Sequence, residues 1–488
     1  MTDKDKPESS EPKIEAKDVT SVTKHEIKIN GKSLKYTVSC GTVVLKEEQD
    51  KDGAAQEAKP RASMFFVAYT LDGVKNPQKR PLTFSFNGGP GSSSVWLHLG
   101  LLGPKRVKLD RDGNAGAPPY ELIDNDHSIF DKTDLVFIDP IGTGYSRMIA
   151  GEKVGEFHDY KRDLESVGEF IRLYTSRNER WASPKYIAGE SYGTTRACGL
   201  AGLLQEKHGM YMNGLLLISC ALDFQTLRFD HGNDLPPVVY LPTYAATAWY
   251  HKALPAAEQK RKLADLLKEV ETFAAGEYSA ALFKGASLTA KERESVIAQL
   301  VRFTGLSREY IEATNLRINI HRFCKELLRS RGEVVGRLDS RFKNKDRDSA
   351  GELGEFDPAQ ANLKGAYSSA LNDYLQRDLK FKHDLPYTVS SMLWMTWGWN
   401  EFANKYAAVS ETLRKAMRMN QHMKVYVANG YYDLATPHFA ADYTFNHLNL
   451  DADRMKDITT HYYEAGHMMY IHEPSLKAMA SDMRKFFG

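Results

Sequence analysis

The sequence predicts an α/β protein: a mostly parallel central sheet covered by helices, with a helical cap inserted into it. Three observations predict it. Short apolar runs alternate with helical stretches: Leu82-Thr83-Phe84-Ser85-Phe86, Leu135-Val136-Phe137-Ile138, Tyr186-Ile187-Ala188, Leu215-Leu216-Leu217-Ile218-Ser219 and Val425-Tyr426-Val427-Ala428. Runs apolar on both faces mark strands buried on both sides, as parallel strands are. The alternation stops between about 225 and 400 and resumes near Lys424, which argues for insertion into the sheet rather than a separate helical domain. Finally, Gly189-Glu190-Ser191-Tyr192-Gly193 joins one of these runs to a helix-compatible stretch, Thr194 to Leu200.

In chain order, residues 1–20 are charged and almost free of large apolar side chains, which predicts a disordered tail. Glu26-Ile27-Lys28-Ile29 and Leu34-Lys35-Tyr36-Thr37-Val38 alternate around Asn30-Gly31, a hairpin signal. The polar stretch 46–61 reads as a loop and Met64–Tyr69 as a strand. Residues 21–224 then form the first part of the core, 225–400 the cap and 401–488 the second part of the core. Within the cap, Leu263, Leu266, Leu267, Val270 and Phe273 share one helical face. Thr289 with Glu292 forms a capping-box pattern ahead of Val296, Ile297 and Leu300. There are no internal repeats.

Bulk properties exclude several functions. The chain has 488 residues, 42% hydrophobic and 26% charged, and a formal net charge of +2, so charge makes no case for nucleic acid or an anionic membrane. No run of eighteen apolar residues exists to span a bilayer. If Met1 is the native start, the absence of an apolar leader predicts a cytoplasmic protein. Cys40, Cys198, Cys220 and Cys324 form no CxxC pair and read as free buried thiols.

Between a strand and a helix, G-x-S-x-G has the form of a nucleophile elbow, the turn that presents a serine on the α/β-hydrolase fold. A serine nucleophile needs a histidine base, and the base a carboxylate to fix its tautomer, in the chain order Ser, acid, His. Asp433, in Gly430-Tyr431-Tyr432-Asp433, directly follows the run Val425–Ala428. His467, in Glu464-Ala465-Gly466-His467-Met468, follows His461-Tyr462-Tyr463; from pattern alone His461 and His472 compete with it. Asn87-Gly88-Gly89-Pro90-Gly91-Ser92-Ser93-Ser94, at another strand end, has backbone N–H groups suited to an oxyanion, against the plain alternative of a turn. Asp139-Pro140-Ile141-Gly142-Thr143-Gly144-Tyr145-Ser146 fails as a nucleotide loop, because Arg147 stands where G-x-G-x-x-G needs its third glycine. No Walker, HExxH or Cys/His metal spacing occurs, so cofactor-free hydrolysis is expected.

Together these segments resemble the serine carboxypeptidase family, and the N-terminal hairpin and Leu241-Pro242-Thr243-Tyr244-Ala245-Ala246 look like its bacterial members. Asn87–Ser94, Asp139–Ser146, Gly189–Gly193, Gly430–Asp433 and Glu464–Met468 match five family motifs in order, across about residues 82 to 475. The resemblance implies a triad of Ser191, Asp433 and His467, oxyanion donors from the N–H groups of Gly89 and Tyr192, and binding of a substrate's free C-terminal carboxylate by Asn87, Gly88 and Glu190. It implies peptide or protein C-termini as substrates, no cofactor and no metal, with a homodimer as a candidate assembly. Two carboxylates repel in a dry site, so Glu190 must be protonated to bind an acid, and an acid-shifted pH optimum follows. Four positions depart from the family. Ser92 replaces a cysteine and Ser85 a tryptophan. Leu101 replaces the glutamate that shares a proton with the elbow glutamate, and Tyr431 the first aspartate of G-D-x-D. Two alternatives stand beside this reading: an esterase or acyltransferase on the same triad, and a catalytically inactive binding protein on a hydrolase fold.

Other residues have plainer readings. Trp394, Trp397 and Trp399 fit helix–core packing better than a side-chain pocket. Met468, beside the histidine, resembles a family residue that lines the leaving-group pocket, with packing as the equal alternative. Cys198, two turns past Ser191, reads as a small buried hydrophobe. The charge-dense stretch 329–350 reads as a solvated loop.

Overall fold

The computed structural model describes residues 17–47, 50–51, 54–55, 58–153 and 155–488. The chain enters on a hairpin of β1 (Val19–Ile29) and β2 (Lys32–Glu47), turned by Asn30 and Gly31 at φ 49° and 77°. Both central residues of that turn need positive φ, which Asn-Gly supplies at least cost. β1 is an edge strand, exposed along most of its length. Pairing already begins at Val19, so the expected tail ends before residue 20; its first sixteen residues lie outside the described ones.

The polar stretch 46–61 is also more ordered than expected. β2 continues through Glu47, β3 spans Lys59–Leu71, and between them Asp50–Lys51 pairs with Ala54–Ala55. Hairpin arms held by backbone bonds need no apolar signal, which is why composition pointed to a loop. Residues 48, 49, 52, 53, 56 and 57 of that stretch lie outside the described residues.

The sheet continues with β4 (Leu82–Phe86), β5 (Asp134–Ile138), β6 (Lys185–Ser191), β7 (Gly214–Cys220), β8 (Lys424–Gly430) and β9 (Ile458–Tyr463). Its order is β1-β2-β3-β5-β4-β6-β7-β8-β9, with Arg147–Met148 paired to β3. Every neighbouring pair from β5 to β9 is parallel, and the pairs among β1, β2, β3 and β5 are antiparallel.

The longer helices are α1 (Tyr160–Arg177), α2 (Tyr192–His208), α3 (Leu235–Tyr250), α4 (Leu263–Phe273), α5 (Ala290–Thr304), α6 (Pro358–Asp373), α7 (Ser410–Met419), α8 (His438–Asn446) and α9 (Glu473–Phe487). Strand periodicity divides the core. Leu215 and Leu217 of β7 pack with α1, α2, α7 and α8, whereas Leu216 and Ile218 pack with α6 and α9 on the other face. Each such leucine contributes roughly 1.5–3 kcal/mol on burial, so shifting the register by one residue would cost both layers at once.

A third core lies outside the sheet, built from α3, α4 and α5. Leu263, Leu266, Leu267, Val270 and Phe273 are buried on one face of α4, and Thr289 and Glu292 close the capping box of α5. Tyr432 and Leu434, on either side of Asp433, pack into this core. The chain is outside the main sheet from Ala221 to Met423, and its last stretch lies back on the core loops. Isolated bridges pair Ser390 with Ser92, Thr388 with Gly144, Gly398 with Asp159 and Ala408 with Asp223.

Two expectations fail here. The tryptophan-bearing run is not a helix: beyond a single 3-10 turn at Leu393–Met395 it is irregular, and Met392, Trp394 and Met395 are 66%, 59% and 62% exposed. The packing itself holds for two of the three: Trp397 is buried, its ring edge-on to Tyr192 at 5.5 Å, and Trp399 is partly buried against the core. The stretch 329–350 is not merely solvated either. Asp339, Ser340 and Arg341 are buried, and a small hairpin, Glu333–Val335 with Lys343–Lys345, frames them.

Candidate active site

The elbow follows from backbone crowding. Ser191 ends β6 at φ 60°, ψ −130°, and α2 begins at the next residue. A non-glycine residue held there costs about 1–3 kcal/mol, which surrounding bonds must outweigh. Thr194 Oγ1 donates to the Ser191 carbonyl at 2.7 Å and accepts from the Ala221 N–H at 2.9 Å, tying the turn to the end of β7. Both motif glycines are demanded by close approach: a Cβ on Gly189 would lie 2.1 Å from the Gly193 carbonyl oxygen, and one on Gly193 3.0 Å from that of Phe86.

The glycine-rich loop after β4 lies directly against this turn. A Cβ on Gly88 would sit 2.5 Å from the Tyr192 nitrogen and 2.6 Å from that of Gly193, so a side chain there would close off the N–H groups that open α2. As the first residue of a helix, Tyr192 has no helical partner for its N–H. Asn87 is fixed from three sides. Its carbonyl accepts from Arg196 Nη1 (2.6 Å), its Oδ1 from the Leu97 N–H (3.1 Å), and its Nδ2 donates to Glu190 Oε1 (2.9 Å). Arg196 is fully buried, its Nε 2.8 Å from Asp163 Oδ2, which also accepts from Tyr192 Oη at 3.0 Å. Removing one partner of such a pair would strand a buried charge, so the elbow helix and the Asn87 loop are locked together.

Asp433 and His467 meet as expected. Asp433 Oδ1 accepts the N–H groups of Ala435 (2.8 Å) and Thr436 (2.9 Å); Oδ2 accepts Thr436 Oγ1 (2.7 Å) and His467 Nδ1 (2.8 Å). That last bond places the proton on Nδ1 and leaves Nε2 as the basic nitrogen. Burial opposes a charge on His467, but the Asp433 carboxylate, then Glu190, outweigh it and raise its proton affinity above the ordinary value. The histidine loop is pinned by Ser219 Oγ to the His467 carbonyl (2.7 Å), the His467 N–H to the Leu338 carbonyl (2.6 Å) and the Gly466 N–H to Asp339 Oδ2 (3.1 Å). His461 and His472 are excluded from the site: one faces Asp482 at 3.4 Å, the other Ser475 at 2.8 Å.

Glu190 is buried beside Ser191. Burial pushes its carboxyl up to about 7, against the opposing pull of His467, Tyr470 and Asn87. No neighbouring glutamate is needed for this, and the position expected to supply one is the buried Leu101. Instead Tyr470 Oη donates to Glu190 Oε2 at 2.7 Å. Ser85 is buried and its hydroxyl has no partner among the described residues, whereas Ser92 Oγ accepts from Trp96 Nε1 at 3.0 Å. Met468 is packed in the core, and Tyr431 stacks on Tyr462 at 5.7 Å.

Tyr470, Thr436, Arg196 with Asp163, and Asp339 escaped the sequence reading. Tyr470 lies in an apolar run, and nothing in a sequence distinguishes its hydroxyl from any other tyrosine's. Asp339 lies in a segment whose charge pointed to solvent. The four cysteines are free and buried, and burial pushes the Cys198 thiol far above the usual range, as befits a packed hydrophobe. Among the described residues no group of His, Cys, Asp or Glu is placed to hold a metal ion, and no helix is long and apolar enough to cross a membrane.

A central sheet that turns parallel, with a strained serine between strand and helix and an acid–histidine pair on later strand ends, defines the α/β-hydrolase class. The crystal structure of a prohormone-processing carboxypeptidase from Saccharomyces cerevisiae has the same fold, with a TM-score of 0.54 and 18% identity over 92% of this chain and 91% of that one. The model of the serine carboxypeptidase family matches residues 46–479, and the chain belongs to that family. Among its relatives, the pheromone-processing carboxypeptidase KEX1 of Cryptococcus gattii is 31% identical over 146 residues, 30% of this chain and 20% of that protein. Serine carboxypeptidase-like 20 of Arabidopsis thaliana is 30% identical over 147 residues, 29% of this chain and 28% of that protein. The chain thus matches between a fifth and under a third of the length of these curated relatives. They are fungal and plant proteins and lend no support to the expected likeness to bacterial members.

Proposed function

We propose that the protein is a serine carboxypeptidase that cleaves the C-terminal peptide bond of peptides or proteins through an acyl-enzyme. The observation that carries this reading is Glu190: a buried carboxyl next to the elbow serine, held by Asn87 and protonated up to about pH 7. A neutral acid there can donate to the carboxylate of a peptide C-terminus, whereas a charged one would repel it.

In this mechanism His467 Nε2 takes the proton of Ser191 Oγ, which attacks the last peptide carbonyl. The N–H groups of Gly89 and Tyr192 receive the oxyanion, and Asp433 stabilises the imidazolium. His467 then protonates the leaving amino acid, and water, activated by the same histidine, releases the acyl group. Asn87, Gly88 and Glu190 hold the substrate carboxylate, and the helical segment 225–400 covers the site as a cap. Buried free thiols suit a reducing compartment, the cytoplasm.

One assay tests the reading: turnover of a blocked dipeptide as free acid, C-terminal amide and methyl ester, with Ser191→Ala as control. A carboxypeptidase prefers the acid to the amide, and Ser191→Ala loses turnover by several orders of magnitude together with fluorophosphonate labelling. Cleavage of the ester with no turnover of the acid identifies an esterase. Failure of the wild type to react with the fluorophosphonate points to an inactive binding protein.

A further inference from the structure

Glu190 is gripped on both oxygens, and the two grips differ in kind. Asn87 can only donate to Oε1, because its own Oδ1 is occupied by the Leu97 N–H. A proton on Glu190 therefore sits on Oε2, the edge that Tyr470 Oη faces at 2.7 Å. A hydroxyl can turn. It donates to a charged carboxylate, and it competes with substrate for the proton of a neutral one. The Tyr470 ring cannot move to escape this choice: a Cβ on Gly100 would lie 2.4 Å from its Cε2, and Tyr470 is buried in the core. Tyr470 also lines a cavity of about 70 Å³ whose other polar lining comes from Arg106, Asp110, Tyr367 and Glu473.

We propose that Tyr470 is a positioning residue of the carboxylate clamp, which through its bond to Oε2 sets the highest pH at which the site accepts a peptide bearing a free C-terminal acid. This rests on the carboxypeptidase reading above. The other groups that face Glu190 are His467 and Asp433, from the loops after β9 and β8, and Tyr367 from α6. Among the described residues, Tyr470 alone combines direct contact with Oε2 and a hydroxyl able to donate or accept. Its donation favours the charged form, so its loss extends acid binding to higher pH, the reverse of what deleting a binding contact does.

The test measures KM against pH, from 5 to 9, for a blocked dipeptide acid and its methyl ester. For the wild type, KM for the acid climbs as pH rises through about 7, where Glu190 ionises. In Tyr470→Phe, which keeps the packed ring, the climb begins about one pH unit or more later, so at pH 8 the acid binds several-fold more tightly than to wild type. Replacing Tyr470 by 3-fluorotyrosine, a stronger donor, moves the climb to lower pH and needs no deletion. The ester, lacking a carboxylate, shows no such climb. A climb at one and the same pH in all three proteins, or a KM raised equally at every pH in Tyr470→Phe, overturns the proposal. Wild-type enzyme that cleaves the ester and ignores the acid at every pH overturns the carboxypeptidase reading first, and this inference with it.

Discussion

Glu190 and His467 compete for protons in one buried space. Each charge acts on the other: the histidine pulls the glutamate's proton affinity down, and the glutamate raises the histidine's. A single proton can lie on either, giving Glu⁻ with His⁺ or neutral Glu with neutral His, and such a pair titrates as a unit. Only the second form both binds an acid and takes a proton from Ser191. Charge on Glu190 therefore harms the reaction twice, by repelling the substrate and by occupying the base. The expected outcome is a bell for kcat/KM on a free-acid dipeptide, rising as His467 deprotonates and falling as Glu190 ionises near 7, beside an ester profile without the falling limb. Equal profiles for acid and ester would dismiss Glu190 as the acid-binding group. This much was legible in the sequence, because elbow glutamate, serine, aspartate and histidine are each embedded in a distinctive neighbourhood. The hydroxyls of Thr436 and Tyr470 were not, since a side chain's role as a donor depends on where another loop ends.

At the scale of elements, loops rather than strands carry the chemistry, and each loop borrows its rigidity from a distant one. The histidine loop leans on the stretch from Leu338 to Arg341: Asp339 accepts from Gly466, and Arg341 lies against the same carboxylate at 2.6 Å in a buried pair. Replacing Asp339 by Ala strands the arginine and frees the loop, at a cost of about 3–5 kcal/mol. Replacing both, Asp339→Leu with Arg341→Met, removes the stranded charge and restores much of the stability. Turnover does not return with it, because the Gly466 N–H still lacks its acceptor. Thermal unfolding and kcat measured across this double-mutant cycle separate the two effects, and parallel recovery of both would show that Asp339 matters only for folding. Sequence reasoning missed this element for a physical reason: a run dense in Lys, Arg and Asp costs least in water, and only tertiary pairing makes its burial tolerable. The core strands were readable because burial on both faces leaves a continuous apolar run. The outer hairpin arms, held by backbone bonds with polar residues alternating outward, were readable only around Asn30-Gly31 and in the apolar middle of β3, Met64–Tyr69.

Over the whole molecule, the parallel half of the sheet gathers three strand ends at one edge: β6 delivers Ser191, β8 Asp433 and β9 His467. The helical core of α3, α4 and α5 reaches down to the residues flanking Asp433, so it meets the sheet at the site itself. A site this buried must hold Glu190 where its charge is disfavoured, and that cost falls on the folded state. The carboxyl ionises near its ordinary value when unfolded and only near 7 when folded. The folded state therefore binds the extra proton between those values. Its stability is full below the unfolded value and declines as pH rises through about 7. Between pH 5 and pH 8 the loss is on the order of 2 kcal/mol. Glu190→Gln keeps the shape, accepts from Asn87, donates to Tyr470 and carries no charge at any pH, so it escapes that loss. The buried carboxyls Asp139 and Asp163, which burial also pushes up, are present in both proteins and cancel in the comparison. The variant should therefore unfold at a higher temperature than wild type at pH 8 and near the same temperature at pH 5. An advantage that does not grow with pH would mean that Glu190 is solvated in the folded protein, and the acid-binding role assigned to it would lose its physical basis.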